Sequence, residues 1–220
     1  MNKKTAVIII VAISVVGTAL YNMYLAGDST PRGSFLFQSD VDEVTVTILG
    51  PEETIRTGVT GQNGMLTFAE LPNGNYQAIA TKDGYNPHYL MNIFITNGKP
   101  STVPIYMTTI PPEQSLHAST NPNAMIIKQG SSGTITVTVT SPNDYDSVVS
   151  LKCVQLPSGV SATFDSPSFT LAARGEASTT LTLTISSTAT KGIYTVNIEM
   201  ESEHGYAIDV CWIGLLLQVS

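Results

Sequence analysis

The feature that most constrains the fold of this chain is a strict alternation of apolar and polar residues in several separate segments. In the segment "EVTVTILG", alternation points Val44, Val46 and Ile48 to one side and Thr45 and Thr47 to the other. The segments "GTITVTVTSP" and "STTLTLTISS" repeat the pattern later in the chain. Alternation with β-branched residues indicates strands that have one buried face. Since no later segment has the period of a long amphipathic helix, the sequence predicts an all-β fold.

Turn signals separate these segments at the short intervals that are typical of β-sandwiches. They include "GQNG", "PNGN", "KDGY", "SPND" and "LPSG", and the paired prolines of "TTIPPEQSL" interrupt the pattern once, near the middle of the chain. The sequence therefore predicts two tandem β-sandwiches behind one N-terminal transmembrane helix. The predicted segments are 1–27 for the membrane helix, 28–33 for a linker, 34–108 for the first sandwich, 109–114 for a Pro-rich linker and 115–220 for the second sandwich.

The N-terminus combines two basic residues with a long apolar run. Lys3 and Lys4 precede an uncharged run from Ala6 to Leu25. About 20 apolar residues are enough for a helix to cross a bilayer core of about 30 Å. We therefore predict an uncleaved, single-pass anchor with both β-domains extracellular. The alternative is a signal peptide that is cleaved after Ala19.

Charge excludes one class of partner. The chain has 10 basic and 17 acidic residues, and without Lys3 and Lys4 the exported part has a net charge of −9. An acidic protein repels polyanions, so the sequence predicts no nucleic-acid partner.

A glycine-rich stretch from Thr60 to Ala80 raises the question of phosphate binding. A phosphate cradle places its glycines between a strand and a helix. Here the pattern is strand, turn, strand, turn, strand, and Gly61 and Gly64 fit a tight hairpin. The stretch is therefore interpreted as scaffold turns.

No pattern of catalytic or metal-binding residues is found. His88, His117 and His204 each stand alone, and no G-x-S-x-G segment occurs. Acidic residues cluster in "SDVDE" and "PNDYDS", which are interpreted as solvated turns, with a weak calcium site as the alternative. We therefore predict no catalytic residues, no metal ligands, no cofactor and no enzymatic activity.

Two cysteines and two tyrosines carry expectations about packing. Cys153 and Cys211 both point to the core, either as a disulfide or as two buried thiols. If their strands lie in one sheet with another strand between them, their Cα atoms are about 10 Å apart and cannot be bridged.

Tyr76 and Tyr194 each follow a glycine turn, and their hydroxyl groups are expected to cap backbone across a corner, as in immunoglobulin-like sandwiches. The alternative is that both are ordinary core aromatics.

The last predicted strand departs from the alternating pattern because it is apolar on both faces. Val210, Trp212 and Leu216 lie on the face that a simple sandwich leaves in solvent. Either this face packs against the first domain or a neighbouring loop, or it forms a contact with another protein.

Residues 34–108 resemble the carboxypeptidase regulatory-like, or transthyretin-like, β-sandwich domain. The resemblance is carried by "TGVTGQNGMLTFAELPNGNYQAIATKDGYNPH". It implies a domain without catalytic residues, of a kind found in surface proteins, enzyme appendages and carbohydrate-binding contexts.

Residues 113–220 are similar to an immunoglobulin-like domain that is common in archaeal and bacterial cell-surface proteins. The similarity is carried by the segment that begins "GTITVTVTSPNDYDSVVSLKCVQLPSGV" and by "KGIYTVNIEMES". It implies an extracellular module for spacing or adhesion.

Together these observations predict a non-enzymatic, membrane-anchored cell-surface protein that acts as a structural, adhesive or protein-binding module. Its partner would be another protein or a second copy of the chain. One alternative is a carbohydrate-binding accessory module, with Tyr85, Tyr89 and Tyr106 as glycan contacts. Another is a pilus-like filament subunit, whose N-terminal apolar helix packs in a filament core.

Overall fold

The structure, a computed structural model, describes residues 31–109, 116–141, 146–204 and 207–220, without the side chains of residues 147 and 203–212. These ranges contain sixteen β-strands, and none of their residues lies in an α-helix, so the all-β prediction is confirmed. The predicted N-terminal helix lies outside the described residues. The part of the chain that is described has no helix long and apolar enough to span a membrane.

The strands in chain order are β1 (Gly33–Ser39), β2 (Thr45–Gly50), β3 (Thr54–Val59), β4 (Met65–Leu71), β5 (Gly74–Thr81), β6 (His88–Ile95), β7 (Ser101–Ile105), β8 (His117–Asn121), β9 (Ala124–Ile127), β10 (Ser132–Thr140), β11 (Ser147–Val154), β12 (Val160–Phe164), β13 (Ser168–Leu171), β14 (Glu176–Ile185), β15 (Gly192–His204) and β16 (Ala207–Val219).

The first seven strands form a β-sandwich of two sheets, in the orders β4-β1-β7 and β3-β2-β5-β6. The β1–β7 pair is parallel and the others are antiparallel. Phe35 and Phe37 of β1 pack against Val46 and Ile48 of β2 and against Tyr76 of β5. The apolar side of "EVTVTILG" therefore faces the core, as its alternation predicts.

The last nine strands form a second β-sandwich, in the orders β12-β14-β10-β8 and β13-β11-β15-β16-β9. Its core lies between the apolar sides of β10 and β14 in one sheet and those of β11, β15 and β16 in the other. The buried side chains include Ile135, Val137, Val139, Leu181, Leu183, Val149, Val196, Ile198 and Leu215.

Both predicted tyrosine corners are confirmed. The Tyr76 hydroxyl donates a hydrogen bond to the carbonyl of Pro72 at 2.8 Å, and the Tyr194 hydroxyl donates to that of Thr190 at 3.0 Å. In each corner the acceptor lies four residues before the tyrosine, so the same device fixes a chain reversal in both sandwiches.

The two sandwiches are in contact with each other and are not joined by the Pro-rich linker alone. The described strands before residue 109 pair only with each other, and so do those after residue 116. Contacts nevertheless group residues 32–220 into one compact unit. The predicted domain boundaries remain a prediction, and most of the Pro-rich linker lies outside the described residues.

Candidate functional site

The two sandwiches meet face to face, and we call this contact the junction. Leu216 of β16 is fully buried in one cluster with Leu49 of β2, Ile79 of β5 and Ala124 of β9. Tyr89, Ile126 and Ile193 pack against the same cluster. The sheet β3-β2-β5-β6 therefore covers part of the outer face of the sheet that contains β16, and the four sheets stack as four layers.

The junction explains why some residues are buried although the alternating pattern alone predicts that they are exposed. Thr47 lies on the outer face of β2, yet it is only 2% exposed. Its hydroxyl is hydrogen-bonded to that of Thr57 at 3.0 Å, which satisfies this buried polar group. Leu49 and Ile79 share this outer face, and these two apolar residues were the signal in the sequence that the face is covered.

Tyr89 and Gly214 join the two sandwiches by a reciprocal pair of hydrogen bonds. The Tyr89 hydroxyl accepts from the amide of Gly214 at 2.6 Å and donates to the carbonyl of Gly214 at 3.0 Å. A Cβ atom at residue 214 would lie 2.9 Å from two ring carbons and the hydroxyl oxygen of Tyr89. The close approach of β16 to this ring therefore requires glycine at position 214.

The junction also contains polar groups that oppose the contact. Gln77 of β5 donates to the carbonyl of Ile193 at 3.3 Å, but its Oε1 atom has no protein partner among the described residues. The Oε1 atom of Gln218 on β16 is also buried without such a partner. Each unsatisfied acceptor costs about 1–3 kcal/mol, so the apolar cluster must offset this cost.

A cleft of about 680 Å³ opens beside the junction. One wall is formed by the first sandwich, at the ends of β2 and β5 and along the loop from Lys82 to Pro87. The other is formed by the second sandwich, along β8 and the residue before it. Apolar side chains from both sandwiches form the floor, namely Ile79, Leu116, Met200 and Ile213.

The rim of the cleft is polar and mainly acidic. Glu43 and Asp83 are exposed there, and His117 stands at the start of β8. The Nζ atom of Lys82 lies 3.2 Å from a carboxylate oxygen of Asp42, so its charge is partly neutralised. The rim is therefore suited to a cationic ligand.

The outer face of the last strand is partly accounted for by the junction. The structure places Leu216 against the first sandwich, which is the packing alternative for this face. Val210 and Trp212 lie in β16 opposite Glu201 and Glu199 of β15, and their side chains are not described. A protein contact through Val210 and Trp212 remains a prediction.

The three tyrosines proposed as glycan contacts do not share one exposed face. Tyr106 is 64% exposed after β7, and Tyr85 packs against the core of the first sandwich. Tyr89 lies in the junction, where its hydroxyl is bonded to Gly214. Tyr89 is therefore not part of an exposed aromatic platform, because the second sandwich covers it.

The two cysteines lie in strands that flank the same third strand. Cys153 of β11 is opposite Ile198 of β15, and Cys211 of β16 is opposite Met200 of β15. With β15 between them, the Cα atoms are about 10 Å apart, beyond the reach of a disulfide. The disulfide alternative is corrected accordingly, since Cys153 has a free, half-buried thiol whose pKa is raised to about 11 by burial.

Lys152 forms a cross-strand charge cluster that the sequence analysis did not identify. Its ammonium group binds Glu201 at 2.6 Å and also contacts Glu199, which lies directly opposite on β15. A hydrogen bond to Glu199, which has the larger effect, and a second one to Glu201 raise the pKa of Lys152 to about 12. The same contact with Lys152 lowers the pKa of Glu201. Because Lys152 is solvent-exposed, this cluster contributes little to stability.

The acidic segments use their carboxylates within the fold. Asp40 accepts a hydrogen bond from the amide of Met107 at 3.0 Å, and Asp146 accepts one from Ala173 at 2.9 Å. Among the described residues, no three His, Cys, Asp or Glu side chains lie together as a metal ion requires.

Burial in the junction changes the acidity of Tyr89. Burial raises the pKa of its phenol from 10.0 to about 12, and the hydrogen bond with Gly214 acts in the opposite direction. The folded state therefore holds this proton more tightly than the unfolded state does.

The higher pKa of Tyr89 in the folded state stabilises the fold below pH 10, and this stabilisation is lost as the pH rises towards 12. We expect the alkaline absorbance titration of the folded chain to show a late phase from Tyr89 and Tyr76, whose pKa burial also raises to about 12. A Tyr89→Phe variant should lose about half of this late phase. An unchanged late phase in that variant would mean that Tyr89 ionises normally.

No protein-family model matches the chain, and no curated protein matches it. Among solved structures, it is similar to a PapD-like domain of human CEP192 at 13% identity and a TM-score of 0.39, over 51% of this chain and 90% of that one. It is also similar to a family 123 glycoside hydrolase from Clostridium perfringens at 12% identity and a TM-score of 0.40, over 49% of this chain and 27% of that one.

A third similar structure is the major pilin subunit BcpA of Bacillus cereus, at 12% identity and a TM-score of 0.32, over 86% of this chain and 70% of that one. With every TM-score below 0.5, these likenesses assign no function to the chain. The resemblance of the first sandwich to carboxypeptidase regulatory-like domains remains a prediction.

Proposed function

We propose that this chain is a non-enzymatic structural or adhesive module of the cell envelope, which carries two β-sandwiches outside the membrane as one rigid, protein-binding unit. The apolar N-terminal run from Ala6 to Leu25 would be its anchor. The observation that carries the proposal is the junction, in which part of the outer face of each facing sheet is buried against the other sandwich.

A spacer would be served better by two sandwiches that pack face to face than by two sandwiches joined only by a flexible linker. Flexibly linked domains leave their outer sheet faces in solvent and change their relative orientation freely. Here an apolar cluster and the reciprocal Tyr89–Gly214 hydrogen bonds would keep the relative orientation constant. A binding surface on the second sandwich would then be held at a defined position relative to the first.

The arrangement of polar groups supports a role without catalysis. The carboxylates of Asp40, Asp42 and Asp146 are engaged in hydrogen bonds or an ion pair within the fold. His88 begins a strand of the first sandwich and His117 begins one of the second, so the two imidazoles lie on different sandwiches.

Rigidity can be tested with spin labels on the two outermost sheets. In a full-length Cys153→Ser, Cys211→Ser background, labels would be placed at Thr102 and Thr184, both exposed. Three inter-sheet spacings of about 10 Å predict a single narrow distance distribution near about 30 Å plus the label arms. A broad distribution would contradict the rigid unit.

Location needs a separate measurement. A full-length chain with a C-terminal epitope tag would be followed in intact cells that are treated with an external protease. We expect the tag to fractionate with membranes and to be lost on protease treatment. A tag that is soluble and protected inside the cells would contradict the envelope role.

A further inference from the structure

We propose that the cleft beside the junction is a docking site for an extended, basic peptide segment of a partner protein, which adds as a strand to the free edge of β8. The proposal rests on the proposed protein-binding function and names where and how binding would occur. Strand addition combines backbone hydrogen bonds with pockets for alternate side chains.

The first observation is that β8 presents its edge to the cleft. Its five residues pair with β10 on one side, and among the described strands β8 is the last of its sheet. Leu116 and the next four residues, through Thr120, line the cleft consecutively. Consecutive residues of both parities take part, so the cleft lies along the edge of the strand.

The edge of β8 also lacks the features that block strand addition. Proline and charged side chains protect many sheet edges, and β7 of the first sandwich contains Pro104. The segment "HASTN" of β8 contains neither, and Ala118 and Ser119 are small enough for another backbone to approach. Five residues offer an edge of about 17 Å.

The size and floor of the cleft match an extended segment. Its volume of about 680 Å³ falls within the range of about 300–1,000 Å³ that is usual for binding sites. Ile79 and Leu116 line the floor from the first and the second sandwich, respectively. Every second side chain of an added strand can point to this apolar floor, so an alternating sequence is favoured.

Charge selects a basic partner over a second copy of the chain. Glu43 and Asp83 are exposed at the rim, while Lys82 is paired with Asp42. The exported part has a net charge of −9, so another copy would be repelled. A peptide with Lys or Arg at its solvent-facing positions would be attracted to the same rim.

The test uses the full chain in detergent micelles and four fluorescent peptides of about ten residues. The first alternates Lys with Val, and the second alternates Glu with Val. The other two are Lys–Val peptides in which alternate backbone nitrogens are methylated, along one edge of the strand in one peptide and along the opposite edge in the other. We expect the Lys–Val peptide to bind at least about tenfold more tightly than the Glu–Val peptide and than the peptide that is methylated on the edge facing β8, measured by fluorescence anisotropy. Equal binding of the Lys–Val peptide and of both methylated peptides would overturn strand addition.

Matched charge variants place the site. A Glu43→Lys, Asp83→Lys variant should weaken Lys–Val peptide binding by at least about tenfold. Glu53→Lys, Asp165→Lys changes the net charge equally at exposed positions outside the cleft, and it should change binding by less than about twofold. Equal losses in both variants would show attraction to the acidic surface as a whole and would overturn the assignment to this cleft.

The spin-label and protease measurements keep this proposal separate from the function on which it rests. If the peptide experiments fail while the distance distribution stays narrow and the tag stays extracellular, docking at β8 is wrong and the structural role stands. If the distribution is broad, the rigid unit itself is wrong.

Discussion

Replacement of Leu216 with Asp is expected to lower the free energy of unfolding by about 4 kcal/mol or more. Leu216 is fully buried between the two sandwiches, among Leu49, Ile79 and Ala124. The change removes a large apolar side chain and places a carboxylate within a cluster of apolar side chains. Urea unfolding of the full chain, followed by circular dichroism, would measure the loss. We expect the midpoint to fall and the transition to separate into two steps, since the sandwiches no longer stabilise each other.

A matched control separates the loss of packing in the junction from the cost of placing a charge on this sheet. Val148 of β11 lies on the same outer face of the same sheet, but it is 47% exposed. Val148→Asp should therefore cost no more than about 1 kcal/mol. The mirror-image change, Ile79→Asp in the first sandwich, should reproduce the effect of Leu216→Asp. If Leu216→Asp behaves like Val148→Asp, the junction does not stabilise the chain.

Local pattern was sufficient to predict the strands and turns. The alternation of Val44, Val46 and Ile48 with Thr45 and Thr47 depends only on neighbours along the chain, so it identifies β2 and its core face directly. The tyrosine corners are equally local, because each hydroxyl binds a carbonyl four residues away.

The junction and the cleft could not be located in this way, since each joins segments that are far apart in sequence. Leu49, Ile79 and Leu216 are apolar on outer faces, which signals a covering but not what covers it. The sequence does not show that Thr47 is buried. The alternating pattern is the same for a buried threonine that is hydrogen-bonded to another hydroxyl group and for a threonine in solvent.

Strand order limited the prediction for the cysteines in a similar way. The side-chain parity of Cys153 and Cys211 follows from the local pattern, and both are assigned to the core side. Whether the two strands are adjacent depends on the position of β15, which pairs with both of them. Local sequence does not determine that order, so the disulfide and the free thiols were equally compatible with it.

The second large effect is expected at the contact between Gly214 and Tyr89, where the sign of one substitution depends on the other residue. In the wild-type chain, Gly214→Ala places a Cβ atom 2.9 Å from the ring of Tyr89, so it should cost about 1–3 kcal/mol of stability. Tyr89→Ala should itself cost about 3–5 kcal/mol, because it removes a partly buried aromatic ring and leaves the amide and carbonyl of Gly214 without their partner.

In the Tyr89→Ala background the clash is absent, and alanine is favoured over glycine within a strand by about 0.5–1 kcal/mol. Gly214→Ala should therefore become stabilising there, which a double-mutant cycle by urea unfolding would detect as a coupling of about 1.5–4 kcal/mol. Tyr89→Phe is the control, since it keeps the ring carbons that a Cβ atom meets and removes only the hydroxyl. Gly214→Ala should remain destabilising in that background. If its effect is the same in all three backgrounds, β16 does not pack against Tyr89, and the sandwiches are not joined at this point.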